Sequence, residues 1–200
     1  VSGGTVSCWG QNDLGQLGLA GPDHVTVPVT VAGISGATAI SAGFAHTCAL
    51  IDDGTIRCWG FGGAGQLGDD TTDNAIAPVT VNSITTAMAI SAGAGHTCAV
   101  LADGTGRCWG QGNYGQLGNN AVVNSSVPVT VAGLQGPIGV TAGFAHSCAV
   151  LGATTVKCWG EDDHGRLGNS HEDEDDDEHE LVTVRNFSKA LVVKIGRAHV

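Results

Sequence analysis

The stretch GFAHTCALIDDGTIRCWGFGGAGQLG, residues 43–68, decides how the rest of the chain is read, because it returns at intervals of fifty residues. Within it, HTCALI and TIRCWG are short runs suited to a pleated surface, and Asp52-Asp53-Gly54 stands between them as a turn. A three-residue loop of this kind needs a left-handed residue at its third position, which Gly54 supplies without steric cost. Counting outward from such a loop sets Thr55 against Ile51 and Cys58 against Cys48. A two-residue Asp-Gly loop would set Trp59 against Cys48 instead. Ala102-Asp103-Gly104 repeats the three-residue reading for Cys98 and Cys108. The last copy, Gly152-Ala153-Thr154, has no Gly at the third position.

The period extends over the whole chain. Cys-Trp-Gly stands at 8–10, 58–60, 108–110 and 158–160; each copy continues to Gly-Gln-Leu-Gly, changed to Gly165-Arg166-Leu167-Gly168 in the fourth. VPVTV (27–31), APVTV (77–81) and VPVTV (127–131) follow in step, but LVTV (181–184) arrives three residues late, after the acidic run HEDEDDDEHE (171–180). A local insertion with the register resumed afterwards is a surface loop, here 169–180. The units fall at about 1–40, 41–90, 91–140 and 141–193, with a fifth begun at 194–200. Units of this length, with several short strands and recurrent Gly, Trp and His, are blades of an all-β propeller.

The units resemble the regulator of chromosome condensation repeat. The residues that carry the likeness are Gly43, His46, Asp53, Gly54, Trp59, Gly60 and the Gly65–Gly68 turn, then Gly93, His96, Asp103, Gly104, Trp109, Gly110 and Gly115–Gly118. A third copy has Gly143, His146, Trp159 and Gly160. The resemblance implies a closed ring, commonly seven-bladed, and gives the histidine a structural role at the start of a strand. Four copies are too few for that ring, so the chain is expected to be part of a longer propeller. LVTVRNFSKALVVKIGRAH (181–199) lies without gaps on residues 28–46, which places a fifth Gly-x-x-His at the end. The last six residues, IGRAHV, also match the translation of a common sequencing-adapter string, a second reading that the Gly, Ala and His matches argue against.

Composition narrows the function. The 200 residues hold 32 Gly and few aromatics, and no apolar run is long enough to span a membrane. The net charge of −11 is mostly local: the acidic run holds 8 of the 19 acids, leaving 11 against 8 Lys and Arg elsewhere. No basic surface is available for a phosphate backbone, so nucleic acid is not expected as a partner. The acidic run, with His171 and His179, could attract a cation weakly, but it lacks the spacing of a calcium loop and reads as a solvated, self-repelling segment.

Six of the seven cysteines form three pairs ten residues apart, Cys48 with Cys58, Cys98 with Cys108 and Cys148 with Cys158, and Cys8 is left over. Facing positions on antiparallel strands are within reach of a disulfide, which would place the protein outside the cytosol. Small buried thiols in a reducing cell are the alternative. A metal held by His46, Cys48 and Cys58 is a third reading, weakened because no fourth ligand recurs.

No catalytic or cofactor-binding set is expected. Residues repeated in every unit serve the shared scaffold, whereas a catalytic set would have to appear once. GFGGAGQLG (60–68) lacks the Gly-Lys-Ser/Thr ending of a phosphate loop. Function therefore falls to the segments that differ between units: 19–26, 69–77, 119–126 and 169–180, with Asp69, Asp70, Asn119, Asn120, Asp175 and Asp176 as candidate partner-binding residues. These expectations describe a non-enzymatic scaffold that binds a protein or a surface polymer. The alternative is a guanine-nucleotide exchange factor or chromatin-linked regulator, as the family resemblance implies.

Overall fold

A computed structural model of the chain describes residues 3–152, 154–169 and 178–185. Fourteen strands make up the described fold, together with one short 3-10 turn at Asp163–Gly165. A two-stranded sheet pairs β1 (Ser7–Gln11) with β2 (His24–Thr30). Three four-stranded antiparallel sheets follow. The first contains β3 (Ala37–Ala42), β4 (His46–Ile51), β5 (Ile56–Gly60) and β6 (Ala75–Thr80), in that order. The second runs β7 (Ala87–Ala92), β8 (His96–Leu101), β9 (Gly106–Gly110) and β10 (Ser125–Thr130); the third, β11 (Gly139–Ala142), β12 (His146–Leu151), β13 (Thr155–Gly160) and β14 (Glu178–Thr183). Each sheet is a meander, and β3, β7 and β11 lie side by side as the inner edges of successive blades. The strand ahead of Gly-x-x-His is thus the first of its blade.

The hairpin forms as its loop dictates. Ile51 N–H donates to Thr55 C=O at 2.9 Å, and Gly54 N–H to Ile51 C=O at 3.0 Å, with Gly54 at φ +80°. Asp53 braces the loop by accepting from both the N–H and the hydroxyl of Thr55. The three-residue loop sets Cys48 opposite Cys58, and the same register pairs Cys98 with Cys108. In the last hairpin Leu151 still faces Thr155 and Cys148 faces Cys158, although the positive φ has moved to Gly152. All three pairs are disulfides, with α-carbons 4.0–4.1 Å apart. With their sulfurs joined, these cysteines offer no thiolates for the metal reading.

The outer strands begin earlier than the polar loops of the sequence suggested. β2 opens at His24, β6 at Ala75, β10 at Ser125 and β14 at Glu178, so the connecting loops are correspondingly shorter. Pro28, Pro78 and Pro128 are tolerated there because an edge strand need not donate every N–H. The pairing of Cys158 with Val182, against Cys58 with Val79, carries the three-residue offset of the fourth copy; the insertion therefore lies before β14.

The core is built between sheets. Val6, Val31 and Ile34 meet Ala49 and Trp59; the Cys48–Cys58 face meets Ala99 and Trp109; the Cys98–Cys108 face meets Ala149 and Trp159. The first two four-stranded sheets thus each present a cystine to the next sheet, and all three present a tryptophan to the one before. Trp59, Trp109 and Trp159 are fully buried, whereas Trp9 in the two-stranded sheet is exposed.

Candidate functional site

At one end of each hairpin the start of β4 meets the end of β5, with His46 opposite Gly60. The Gly-x-x-His turn, the Gly-Gln-Leu-Gly turn and the variable loop that follows therefore gather at that end. The Asp-Gly hairpin loops occupy the other.

The repeated residues tie blade to blade. The backbone carbonyl of Gln16 accepts from Trp59 Nε1 at 3.0 Å and from Thr47 Oγ1 at 2.9 Å. Gln66 accepts likewise from Trp109 and Thr97, and Gln116 from Trp159 and Ser147. The Gln side chain serves its own turn: Gln66 Oε1 accepts from Ala64 N–H and Gln116 Oε1 from Tyr114 N–H. In the fourth turn Arg166 instead forms an ion pair with Glu161.

His46 Nε2 lies 2.9 Å from Thr97 Oγ1, and His96 Nε2 lies 2.8 Å from Ser147 Oγ. Each hydroxyl has its proton engaged by a Gln carbonyl, so the histidine must donate from Nε2, and its Nδ1 is the bare nitrogen. Burial holds His46 down at about pKa 4 and His96 at about 3, where the neighbouring His46 and His146 rings add to the effect. His146 sits at about 4, lowered by burial and Arg166 against the opposing pull of Asp162. These rings stay neutral and structural at neutral pH. Gly43 is glycine because a Cβ there would come 2.4 Å from Gly93 C=O and from the His46 ring.

The variable loops sit outside this frame. Asp70 and Asn120 occupy equivalent positions, both exposed and both at positive φ, 71° and 61°. Asp70 N–H donates to Ser126 C=O, which pins one blade's loop to the outer strand of the next. Asp69 accepts from the N–H and hydroxyl of Thr71. Asn74 and Asn124 close the loops by accepting from Gly62 and Gly112 N–H. Asp69 and Asn119 are half-buried; Asp175 and Asp176 lie outside the described residues.

Two groups escaped the sequence reading. The Thr47, Thr97 and Ser147 hydroxyls recur at fifty-residue intervals in His-(Thr/Ser)-Cys, a signal that periodicity alone could have revealed. Phe44 and Phe144, in the second position of the Gly-x-x-His turn, are exposed at the same end as the variable loops, where the second blade has Ala94. Their variation between otherwise identical turns was the available signal.

With this arrangement in view, the family is settled by the regulator of chromosome condensation (RCC1) repeat, whose family model matches residues 3–50, 53–100 and 108–150. The chain belongs to that repeat family. A second model of the same description matches 37–66 and 89–116. Among curated proteins none matches the chain. Solved structures share the fold: yeast RCC1 (Prp20) bound to Kap60 superposes with a TM-score of 0.78 at 22% identity, covering 92% of this chain and 45% of that one. Prp20p from Saccharomyces cerevisiae gives 0.78 at 21% identity over 91% and 46%, and human WBSCR16 gives 0.79 at 22% over 92% and 49%. The chain thus spans about half the length of these relatives. The blades are those of an RCC1-type β-propeller.

Proposed function

We propose that these RCC1-type blades form part of a non-catalytic, extracytoplasmic scaffold that recognises a protein or surface polymer through the loop rim at the Gly-x-x-His end. One observation carries the reading: the Trp, His and Thr or Ser side chains and the Gln carbonyls that recur every fifty residues are spent on contacts between blades, whereas the residues that differ cluster at one exposed end. A frame bonded to itself in this way leaves its variable rim free to diverge toward a partner. The three disulfides support a compartment outside the cytosol.

A second reading, a guanine-nucleotide exchange factor or chromatin-linked regulator, draws on the family match and on the yeast relative, whose structure was described with its binding properties to Gsp1p and histones. Two assays separate the readings. Protein taken from its native compartment and alkylated without reductant should keep the three cystines closed, and it should not accelerate nucleotide release from a small GTPase. Open cysteines together with accelerated release would replace the first reading by the second.

A further inference from the structure

Ahead of its outer strand the third blade carries a triplet that the second lacks. Asn124-Ser125-Ser126 sets a hydroxyl residue two positions after an asparagine with no proline between, the pattern accepted by enzymes that attach sugar to asparagine amides. Its counterpart in the second blade, Asn74-Ala75-Ile76, breaks that pattern. The two asparagines are otherwise alike. Both are exposed, and each closes its loop by accepting through Oδ1, Asn74 from Gly62 N–H and Asn124 from Gly112 N–H, both at 3.0 Å. That bond uses the carbonyl corner of the Asn124 amide and leaves Nδ2 without a partner among the described residues. Nδ2 is the atom a sugar would take, so loop closure and modification use opposite corners of one amide.

The residues before the triplet point the same way. Thr72-Asp73 ahead of Asn74 is replaced by Val122-Val123 ahead of Asn124, and both valines are exposed. A bulky hydrophilic group on the adjoining Asn124 would cover apolar surface that the second blade does not have at this place. The triplet lies at the Gly-x-x-His end, since Ser125 faces Gly110 and Gly110 faces His96, and β10 is the outer strand of its sheet. We propose that Asn124 is an N-glycosylation site. In the transfer, a bond forms between Asn124 Nδ2 and the anomeric carbon of an oligosaccharide carried on a polyprenyl diphosphate. The bond from that carbon to the diphosphate oxygen breaks, Nδ2 gives up one proton, and the polyprenyl diphosphate leaves. The attached sugar shields Val122 and Val123 and takes up the third blade's share of the rim. This site rests on the extracytoplasmic reading, because such acceptor triplets are modified in secreted proteins.

Protein isolated from the cells that make it is alkylated without reductant, digested, and its peptides weighed and fragmented, so that sugar and cystines are read in one digest. The peptide containing Asn124 should carry an added sugar mass placed on that asparagine, and Asn74 should be bare. A second triplet of the same pattern, Asn186-Phe187-Ser188, lies outside the described residues and is read from its own peptide. S126A leaves Asn124 and its bond to Gly112 in place and should abolish the added mass at Asn124, whereas S125A should keep it. Bare Asn124 overturns the proposal. If the cystines are closed in that digest, the extracytoplasmic reading survives the loss; if the cysteines are open, both fall. Sugar lost in S125A and kept in S126A would mark a serine-linked chain and would equally overturn it.

Discussion

Acid should loosen the blades from one another before it reaches the carboxylates. In the folded chain His46 and His96 are buried with Nε2–H already donated to Thr97 and Ser147, and Nδ1 has no partner. Protonation would place a charge and an unanswered N–H inside a blade interface, which is why both rings titrate far below 6.5, at about 4 and about 3. The folded pKa is the lower one, so the unfolded chain binds protons first. Stability is therefore full above about pH 6.5 and falls as the pH drops toward the folded values. At pH 4.5 each ring has withdrawn roughly 2–3 kcal/mol, a large share of the 5–15 kcal/mol typical of a folded domain. Urea unfolding followed by tryptophan fluorescence at stepped pH measures this, since Trp59, Trp109 and Trp159 lie in those same interfaces. The midpoint should slide downward between pH 6.5 and 4.5. H46Q should be less stable at pH 7 but show a slope reduced by about a third, since one of the three low-titrating rings, His46, His96 and His146, is gone. A midpoint flat over that interval, or a slope unchanged in H46Q, would refute the account.

Other perturbations are sharper. G62A drives a Cβ to within 1.9 Å of Asp73 C=O and should cost roughly 2–3 kcal/mol or more in thermal or denaturant melts. G139A, which meets nothing within 4 Å, should stay within about 0.5 kcal/mol. Removing the second cystine with C98A/C108A releases a ten-residue closure, with an expected loss of about 3 kcal/mol in the same melts. W109F keeps most of the buried ring but abolishes the Nε1 donation to Gln66 C=O, for about 1 kcal/mol or slightly more by urea denaturation. Replacing exposed Phe44 and Phe144 by Ser should leave the melts nearly unchanged while weakening partner binding measured by calorimetry or surface capture; undiminished binding would remove the aromatics from the proposed rim.

The sequence by itself determined the blade. A fifty-residue period set the unit and Gly54 and Gly104 marked the hairpin turns; between the two loop lengths the sequence allowed, the three-residue loop of the structure sets Cys48 against Cys58 and Cys98 against Cys108. These are short-range consequences of backbone sterics and pleat parity, so residues ten apart could be paired on paper, and even the offset of β14 could be anticipated from the spacing of LVTV. What joins the blades was decided by the tertiary structure. His46 finds Thr97 across 51 residues and Trp109 finds the Gln66 carbonyl across 43, because stacked sheets bring the start of one hairpin against the turn of its neighbour. A backbone carbonyl carries no side-chain signature, and periodicity reports that a residue recurs without saying which surface it meets. For the same reason the sequence marked Asp70 and Asn120 as variable, but only the packed sheets brought Phe44 and Phe144 to the same rim.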